Sequence, residues 1–180
     1  MIELRDARAD EDDEAMARVL VDAFARDSPG DWPDLASGRE EVREVREKGF
    51  ARVAVVEGEL VGWIGCLRQY RGRVYEIHPL VVAPARQGQG IGRGLVADVE
   101  AQARARGGLT ILLGTDDVRD TTSLFGVNLY DDLPRHLATI VPKRGHPFTF
   151  YRKLGYTVCG CVPDANGIGK PNIQMAKRLT

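Results

Sequence analysis

The sequence predicts an α/β fold in which amphipathic helices flank a β-sheet. Segments with strand patterning and segments with helical periodicity both recur along the chain. The 180 residues are 43% hydrophobic and 28% charged, which suits one domain with a complete core. The chain contains no internal repeat and no low-complexity segment. We therefore expect residues 1–180 to form a single domain.

The N-terminal part of the chain is predicted to form two helices and three strands. "MIELRDA" is typical of an opening strand, and Asp10 is a candidate cap for the helix that follows. That helix has apolar residues at three- and four-residue spacings: Met16, Val19, Leu20, Ala23 and Phe24. A second helix is expected over Gly38–Lys48. "ARVAVVEGELVGWIGCL" then predicts a β-hairpin that turns around Gly58.

Four more strands and two more helices are predicted after the hairpin. "RVYEIHPLVV" predicts a strand, and the helix after it is expected to end at Gly107-Gly108. "LTILLG" is the next strand, "FTFYRKLGY" a short helix, and "TVCGCV" and "NIQMAKRL" close the chain as strands. Residues 115–147 lack the hydrophobic periodicity of a helix or strand. A connection of that length in a compact domain favours a functional loop over a simple linker.

Composition excludes several classes of protein. Lysine and arginine number 25 against 26 acidic residues, so the net charge of −1 gives no general reason to bind nucleic acid or an anionic membrane. No apolar run has the length of a membrane span, and the acidic N-terminus is unlike a signal peptide, so we expect a cytoplasmic protein. Three cysteines without metal-ligand spacing predict reduced thiols and no metal site, with a thiol nucleophile as the alternative: Cys66, Cys159 and Cys161.

Three alternating glycines, Gly88, Gly90 and Gly92, follow the strand that ends near Val82. Their spacing fails the dinucleotide fingerprint by one residue, and no lysine and hydroxyl complete a phosphate loop. What remains is a turn before a helix, where free backbone N–H groups can hold an anion such as a pyrophosphate. A flexible turn without a ligand is the alternative that this motif alone leaves open.

The order of residues from Val82 to Gly92, "V-x-P-x-x-Q-G-x-G-I-G", resembles the acyl-CoA signature of the GCN5-related N-acetyltransferases (GNAT). "FYRKLGY" is similar to a second motif of that family. The resemblance implies a mixed, mostly antiparallel sheet of six to seven strands, splayed where acetyl-CoA binds. It also implies the residues that hold this co-substrate: Leu80, Val81, Val82, Gln87, Gly88, Gln89, Gly90, Ile91, Gly92, Arg93 and Tyr151.

The family resemblance implies direct acetyl transfer to an amine. Tyr151 takes the position of the tyrosine that protonates the departing sulfur, and a packing tyrosine is the alternative. The base is open: Glu76 and His78 share one face of a strand, and Asp116 and Asp117 are rivals at the end of the next strand. His78 has the side chain best suited to proton uptake near neutrality, and a structural histidine is its alternative.

The acceptor is expected to bind beside the segment 115–147, which carries an acidic cluster: Asp116, Asp117, Asp120, Asp131 and Asp132. Such a cluster favours a cationic amine, and a solvated loop is the alternative. Many members of the GNAT family have an asparagine shortly before the motif that corresponds to "FYRKLGY", and this chain lacks it, so the role of that asparagine is not transferred. Asp164 and Asn166 lie in "PDANGIGKPNI", whose spacing excludes a calcium loop and suits a turn bordering the acceptor cleft.

Several of these segments together resemble the aminoglycoside 6'-N-acetyltransferase-like subgroup: "GTDD", "TSLFGVNLY", "GHPFTFY" and "PDANGIGKPNI". The resemblance implies a small amine as substrate, most favourably the 6'-amine of an aminoglycoside, and a homodimer is a candidate assembly. The alternatives are acetylation of a protein or peptide amine, and a CoA-binding regulatory module without turnover. A long insertion and a terminal loop favour a closed pocket over the open groove that a protein substrate needs.

Overall fold

The computed structural model describes residues 1–26, 28, 30–143 and 145–179. Its chain divides into two compact units, which are described separately below. The N-terminal unit comprises Met1–Leu109 with the very end of the chain, and the C-terminal unit comprises Thr110–Arg178. Within the described residues, no helix is both long enough and apolar enough to cross a bilayer.

The N-terminal unit is an antiparallel sheet covered by three helices. Four strands pair in sequence order, β1 with β2, β2 with β3 and β3 with β4. The elements follow each other as β1 (Ile2–Asp6), α1 (Asp13–Phe24), α2 (Leu35–Lys48), β2 (Gly49–Val56), β3 (Glu59–Gln69), β4 (Val74–Val82) and α3 (Ile91–Ala105). Each strand and helix expected from the sequence is present in this unit.

The starts of α1 and α2 differ from the sequence-based expectation. Asp12, not Asp10, precedes α1, and its carboxylate accepts hydrogen bonds from the Arg5 guanidinium at 2.6 and 2.9 Å instead of capping the helix. Helix α2 begins three residues early because Asp34 and Ser37 form a reciprocal capping box. The prediction that Asp10 caps α1 was therefore wrong. Asp12 occupies the N-cap position, and its carboxylate is engaged by the ion pair with Arg5 of β1.

The hairpin between β2 and β3 is confirmed and turns through Glu57 and Gly58, which both have positive φ. This geometry is that of a tight two-residue hairpin turn. Further along, Ile64 pairs with Leu80 while Cys66 pairs with Ile77, so β4 has one extra residue and forms a bulge opposite Gly65. A Cβ on Gly65 would lie 2.2 Å from the His78 carbonyl oxygen, so only glycine fits against the bulge.

The core of the N-terminal unit lies between the sheet and helices α1 and α2. Met16 and Leu20 of α1 are fully buried, as is Val45 of α2. Trp63 of β3 is fully buried as well, and its indole Nε1 donates a hydrogen bond to the Met16 carbonyl oxygen at 2.9 Å. Because a buried indole N–H needs an acceptor, this bond fixes α1 against β3.

The C-terminal unit has three antiparallel strands in the order β5, β7, β6. Its elements are β5 (Thr110–Asp116), α4 (Leu133–Ala138), α5 (Pro147–Lys153), β6 (Thr157–Val162) and β7 (Asn172–Arg178). Between β5 and α5, the described residues of the expected irregular segment form one helix, the short α4. Leu124 and Leu129 of this segment are buried and form an apolar cluster with Ile173 of β7.

The predicted fold class is confirmed. Seven strands, mostly antiparallel, form the sheet, and helices flank it. All three cysteines are free thiols, and burial raises the pKa of Cys66 to about 12, which suppresses thiolate formation at that site.

Candidate active site

The glycine-rich turn after β4 contains two residues with left-handed backbone conformation. A single 3-10 turn, Pro84–Arg86, follows the strand, and Gly88 and Gly90 have φ values of +76° and +85°. Among the described residues, no atom beyond the adjacent residues in the chain lies within 4 Å of where a Cβ would stand on either glycine. These positions therefore favour glycine because of their backbone conformation, and the space above the turn is open.

Helix α3 begins directly at this turn, with Gly90 as its N-cap residue. No side chain caps the helix and its first turn has no acidic residue. The first N–H groups of a helix lack partners within it and carry partial positive charge. The Gln87 amide donates a hydrogen bond to the Val82 carbonyl oxygen at 3.2 Å, which ties the turn to the end of β4. Arg93 is exposed on the first turn of the helix.

Glu76 and His78 lie two residues apart on β4, and neither is buried. The Gln69 amide donates a hydrogen bond to Glu76 Oε2 at 3.1 Å. His78 is one of the two residues that lie opposite Gly65 at the bulge, and about half of its side chain is exposed. The strand thus presents a carboxylate and an imidazole to the same side.

Two residues outside the predicted set surround His78. Glu41 of α2 places Oε1 3.4 Å from His78 Nε2, and Trp32 Nε1 donates a hydrogen bond to Glu41 Oε2 at 3.2 Å. The Trp32 and His78 rings have centroids 6.0 Å apart. The Glu41 contact raises the pKa of His78 in spite of partial burial. Sequence spacing could not reveal this pair, because helix α2 and β4 are distant in the chain.

At the end of β5, Asp116 is exposed and bound by two amides. Asn166 Nδ2 and Asn172 Nδ2 donate hydrogen bonds to Asp116 Oδ1 at 2.6 and 2.9 Å. Asp164, in the same loop as Asn166, accepts a hydrogen bond from the Gly169 backbone N–H at 2.7 Å. The structure therefore brings Asp116 and Asn166 together, while Asp164 shapes the loop between β6 and β7.

Asp117 has the opposite environment, because it is fully buried. Its two oxygens accept four hydrogen bonds, from the backbone N–H and hydroxyl of Thr121 and from those of Thr122, at 2.7 to 2.9 Å. Burial opposes its charge, but these bonds outweigh burial and lower the pKa of Asp117. The carboxylate thus holds the chain that leaves β5, and it does not share the exposed position of Asp116.

Two other members of the acidic cluster have partners within the chain. Asp120 forms an ion pair with Lys143. Asp132 accepts a hydrogen bond from the Arg135 backbone N–H at 3.3 Å at the start of α4. Asp131 is exposed, as is Asp116.

Tyr151 lies on α5 and is 7% exposed. Its ring packs edge-on against Phe150 and Tyr156, with centroids 5.0 and 5.5 Å away. Burial raises the pKa of Tyr151, so the phenol stays protonated through the physiological range. His146 caps the same helix through Nδ1, which accepts a hydrogen bond from the Phe148 backbone N–H at 3.1 Å.

The candidate site residues fall in the two units as follows. The N-terminal unit holds the glycine turn, Glu76 and His78, and the C-terminal unit holds Asp116, Asn166 and Tyr151. No group of three or more histidine, cysteine or acidic side chains within the described ranges is arranged to hold a metal ion.

Comparison with known proteins identifies the family. The model of the acetyltransferase (GNAT) family matches residues 17–131. An aminoglycoside 6'-N-acetyltransferase solved in complex with coenzyme A is 38% identical, with a TM-score of 0.89 over 100% of this chain and 97% of that one. No protein with a curated function gives a significant sequence match.

Two further solved structures support the same relationship over almost the full length. The aminoglycoside 6'-N-acetyltransferase from Enterococcus faecium is 36% identical, with a TM-score of 0.87, and covers 99% of this chain and 97% of its own. An aminoglycoside 6'-acetyltransferase type Ii is 34% identical, with a TM-score of 0.75 and the same coverage of both chains. The chain belongs to the GNAT family of acetyltransferases.

Proposed function

We propose that this acetyltransferase moves the acetyl group of acetyl-CoA to a primary amine of a small cationic acceptor, most favourably the 6'-amine of an aminoglycoside. The observation that carries the proposal is the similarity, at 34 to 38% identity over 99 to 100% of this chain, to enzymes named for that reaction. The coenzyme A in one of those structures supports the same donor here.

The donor is proposed to bind along the end of β4 and the turn that follows. Backbone groups of Leu80, Val81 and Val82 would pair with the pantetheine arm, as the family resemblance implies. The pyrophosphate would rest on the turn Gln87–Arg93, where uncapped N–H groups of α3 and the exposed Arg93 supply positive charge. The open space above Gly88 and Gly90 supports a close approach of phosphate to backbone.

The chemistry needs a neutral amine and a stabilised thiolate. The amine of the acceptor must lose a proton before it attacks the thioester carbonyl, and Glu76 or His78 is proposed to receive that proton, directly or through water. Tyr151 is proposed to protonate the leaving thiolate. Burial raises the pKa of Tyr151, so the phenol is protonated at neutral pH and its O–H can donate a hydrogen bond to the sulfur as the C–S bond breaks.

The acceptor is proposed to bind through Asp116 and Asn166. Both amide partners of Asp116 use Oδ1, so Oδ2 can still accept a hydrogen bond from an ammonium group. Asp164 contributes by holding the loop that carries Asn166. Asp117 has no part in acceptor binding in this proposal, because its hydrogen-bonding capacity is used within the fold.

The test is a comparison of acceptors with acetyl-CoA as donor. Kanamycin-type aminoglycosides, simple polyamines and lysine or N-terminal peptides would be assayed for release of free CoA. We expect the highest kcat/KM with aminoglycosides. Turnover confined to peptides would replace the proposal with protein or peptide acetylation, and CoA binding without turnover on any amine would favour a regulatory module.

A further inference from the structure

Glu41 is a largely buried carboxylate outside both GNAT motifs, and it faces the half-exposed His78. We propose that Glu41 is a positioning residue for His78: it holds Nε2, so that Nδ1 is the nitrogen that takes the proton of the attacking amine. The inference rests on the proposed function, and it selects His78 over Glu76 as the proton acceptor.

The contacts form a short relay through three parts of the N-terminal unit. Trp32, which precedes α2, donates a hydrogen bond to Glu41 Oε2 at 3.2 Å. Glu41 Oε1 lies 3.4 Å from His78 Nε2, within ion-pair range, and makes no aligned hydrogen bond within the described part of the chain. A carboxylate that is only 11% exposed needs such partners, since burying an unpaired charge is costly. The indole therefore fixes one oxygen and leaves the other for the imidazole.

The surrounding charges favour an ionised Glu41 and a basic His78. Burial would raise the pKa of Glu41, but the contacts with His78 and Trp32, with a smaller contribution from Lys48, outweigh burial and lower it. Besides Glu41, the acidic groups that act on His78 are Glu44 of α2 and Glu76 of β4, and all three favour its protonated form. An ionised carboxylate beside Nε2 selects the neutral tautomer that has its proton on that nitrogen. The lone pair is then on Nδ1.

The acceptor ammonium gives one proton to His78 Nδ1, directly or through one water, and the imidazolium that forms is stabilised by Glu41. The neutral amine then forms a C–N bond to the acetyl carbon, and the C–S bond breaks. The thiolate takes a proton from Tyr151, and the nitrogen keeps one hydrogen as the amide N–H while its excess proton is lost to solvent. His78 then gives up its proton and the Tyr151 phenolate regains one, so the net products are the amide, free CoA and one proton. This use of a carboxylate to orient a histidine base follows the logic of hydrolase triads.

The test compares Glu41→Gln with Glu47→Gln, which removes the same charge from an exposed site on the same helix. The imidazole of His78 would be titrated by NMR in each protein, without substrates. The pH profile of kcat would be measured with acetyl-CoA and an aminoglycoside. We expect Glu41→Gln to lower the pKa of His78, to move the acid limb of the profile to lower pH, and to reduce the plateau kcat about tenfold. Glu47→Gln should match the wild type.

An unchanged His78 titration in Glu41→Gln would overturn the proposal, and so would a lowered pKa with an unchanged plateau kcat. Trp32→Phe is a second variant that keeps the charge and removes the donor to Oε2. We expect Trp32→Phe to reduce kcat less than Glu41→Gln does, with an unchanged KM for acetyl-CoA. An unchanged kcat would contradict the relay from Trp32 through Glu41 to His78. Absence of turnover in the wild type would contradict the proposed function alone, because the NMR titration needs no activity.

Discussion

Asp116 and Asp117 are sequence neighbours with different tasks. Alternation along β5 turns Asp116 outward, where two amides orient it, while Asp117 turns inward and accepts four hydrogen bonds. The pattern of acidic residues predicts a charged site, but it cannot show which carboxylate forms its hydrogen bonds within the fold. The answer depends on Thr121 and Thr122, whose N–H groups and hydroxyls reach only one of the two.

Asp117→Asn should destabilise the protein without a direct effect on the acceptor. An amide cannot accept all four hydrogen bonds, so buried donors lose their partner, at a cost of about 2 kcal/mol in the free energy of unfolding near neutral pH. Because folding lowers the pKa of Asp117, its stabilisation exists above the unfolded-state pKa and is lost as the pH falls through the folded-state value. Urea unfolding should therefore show that the difference from wild type narrows in acid. A difference independent of pH would contradict this role.

Tyr151→Phe should reduce kcat by about 10- to 100-fold, because it removes only the hydroxyl proposed to protonate the thiolate. The ring contacts with Phe150 and Tyr156 are kept, so the fold and the affinity for CoA should be preserved. Pre-steady-state acetyl transfer and calorimetry with CoA measure the two quantities. A transfer rate equal to that of the wild type would remove Tyr151 from the reaction.

The β4–turn–α3 segment carries the proposed donor site. Strand, turn and helix were all predicted, because local glycine and apolar spacing determine them. The start of α1 was missed, since an ion pair between Asp12 and Arg5 decides it and long-range pairs leave no local pattern. For the same reason the contact of Glu41 with His78 could not be read from the sequence. Local elements are thus predictable, but side-chain partners from distant segments are not.

Gly90→Asp should weaken CoA binding about tenfold or more, since it adds a negative charge where N–H groups of α3 would meet the pyrophosphate. Gly90→Ala adds a side chain without a charge, so its comparison with Gly90→Asp separates the steric effect from the electrostatic effect. Gly94→Ala is the control: its Cβ would meet only a Leu4 methyl at 3.5 Å, an ordinary contact. We expect this control to keep CoA affinity and to gain about 0.5 to 1 kcal/mol of stability. Equal CoA affinity for Gly90→Asp and wild type in calorimetry would contradict the donor site.

At the scale of the whole molecule, charge is balanced, and attraction of a cationic acceptor must be local. The net charge is −1, so long-range steering contributes little. The salt dependence of acceptor binding should then come from a few carboxylates. Asp116 is the one whose position at the end of β5 suits this task.

Asp116→Asn should raise the KM for an aminoglycoside about fivefold, a modest change because the carboxylate is exposed. Added salt should raise the KM of the wild type more than that of the variant, since screening weakens the attraction that the substitution removes. Steady-state kinetics at two ionic strengths measure both effects. A parallel salt response in the two proteins would place the acceptor's charge partner elsewhere.

The proposed reaction acetylates one amine of an aminoglycoside. The most direct measurement is incubation of the wild-type protein with acetyl-CoA and kanamycin, followed by NMR of the product. We expect a single acetyl group, on the 6'-nitrogen, formed together with free CoA. Unmodified kanamycin under conditions in which the same protein acetylates a peptide amine would contradict the proposed function.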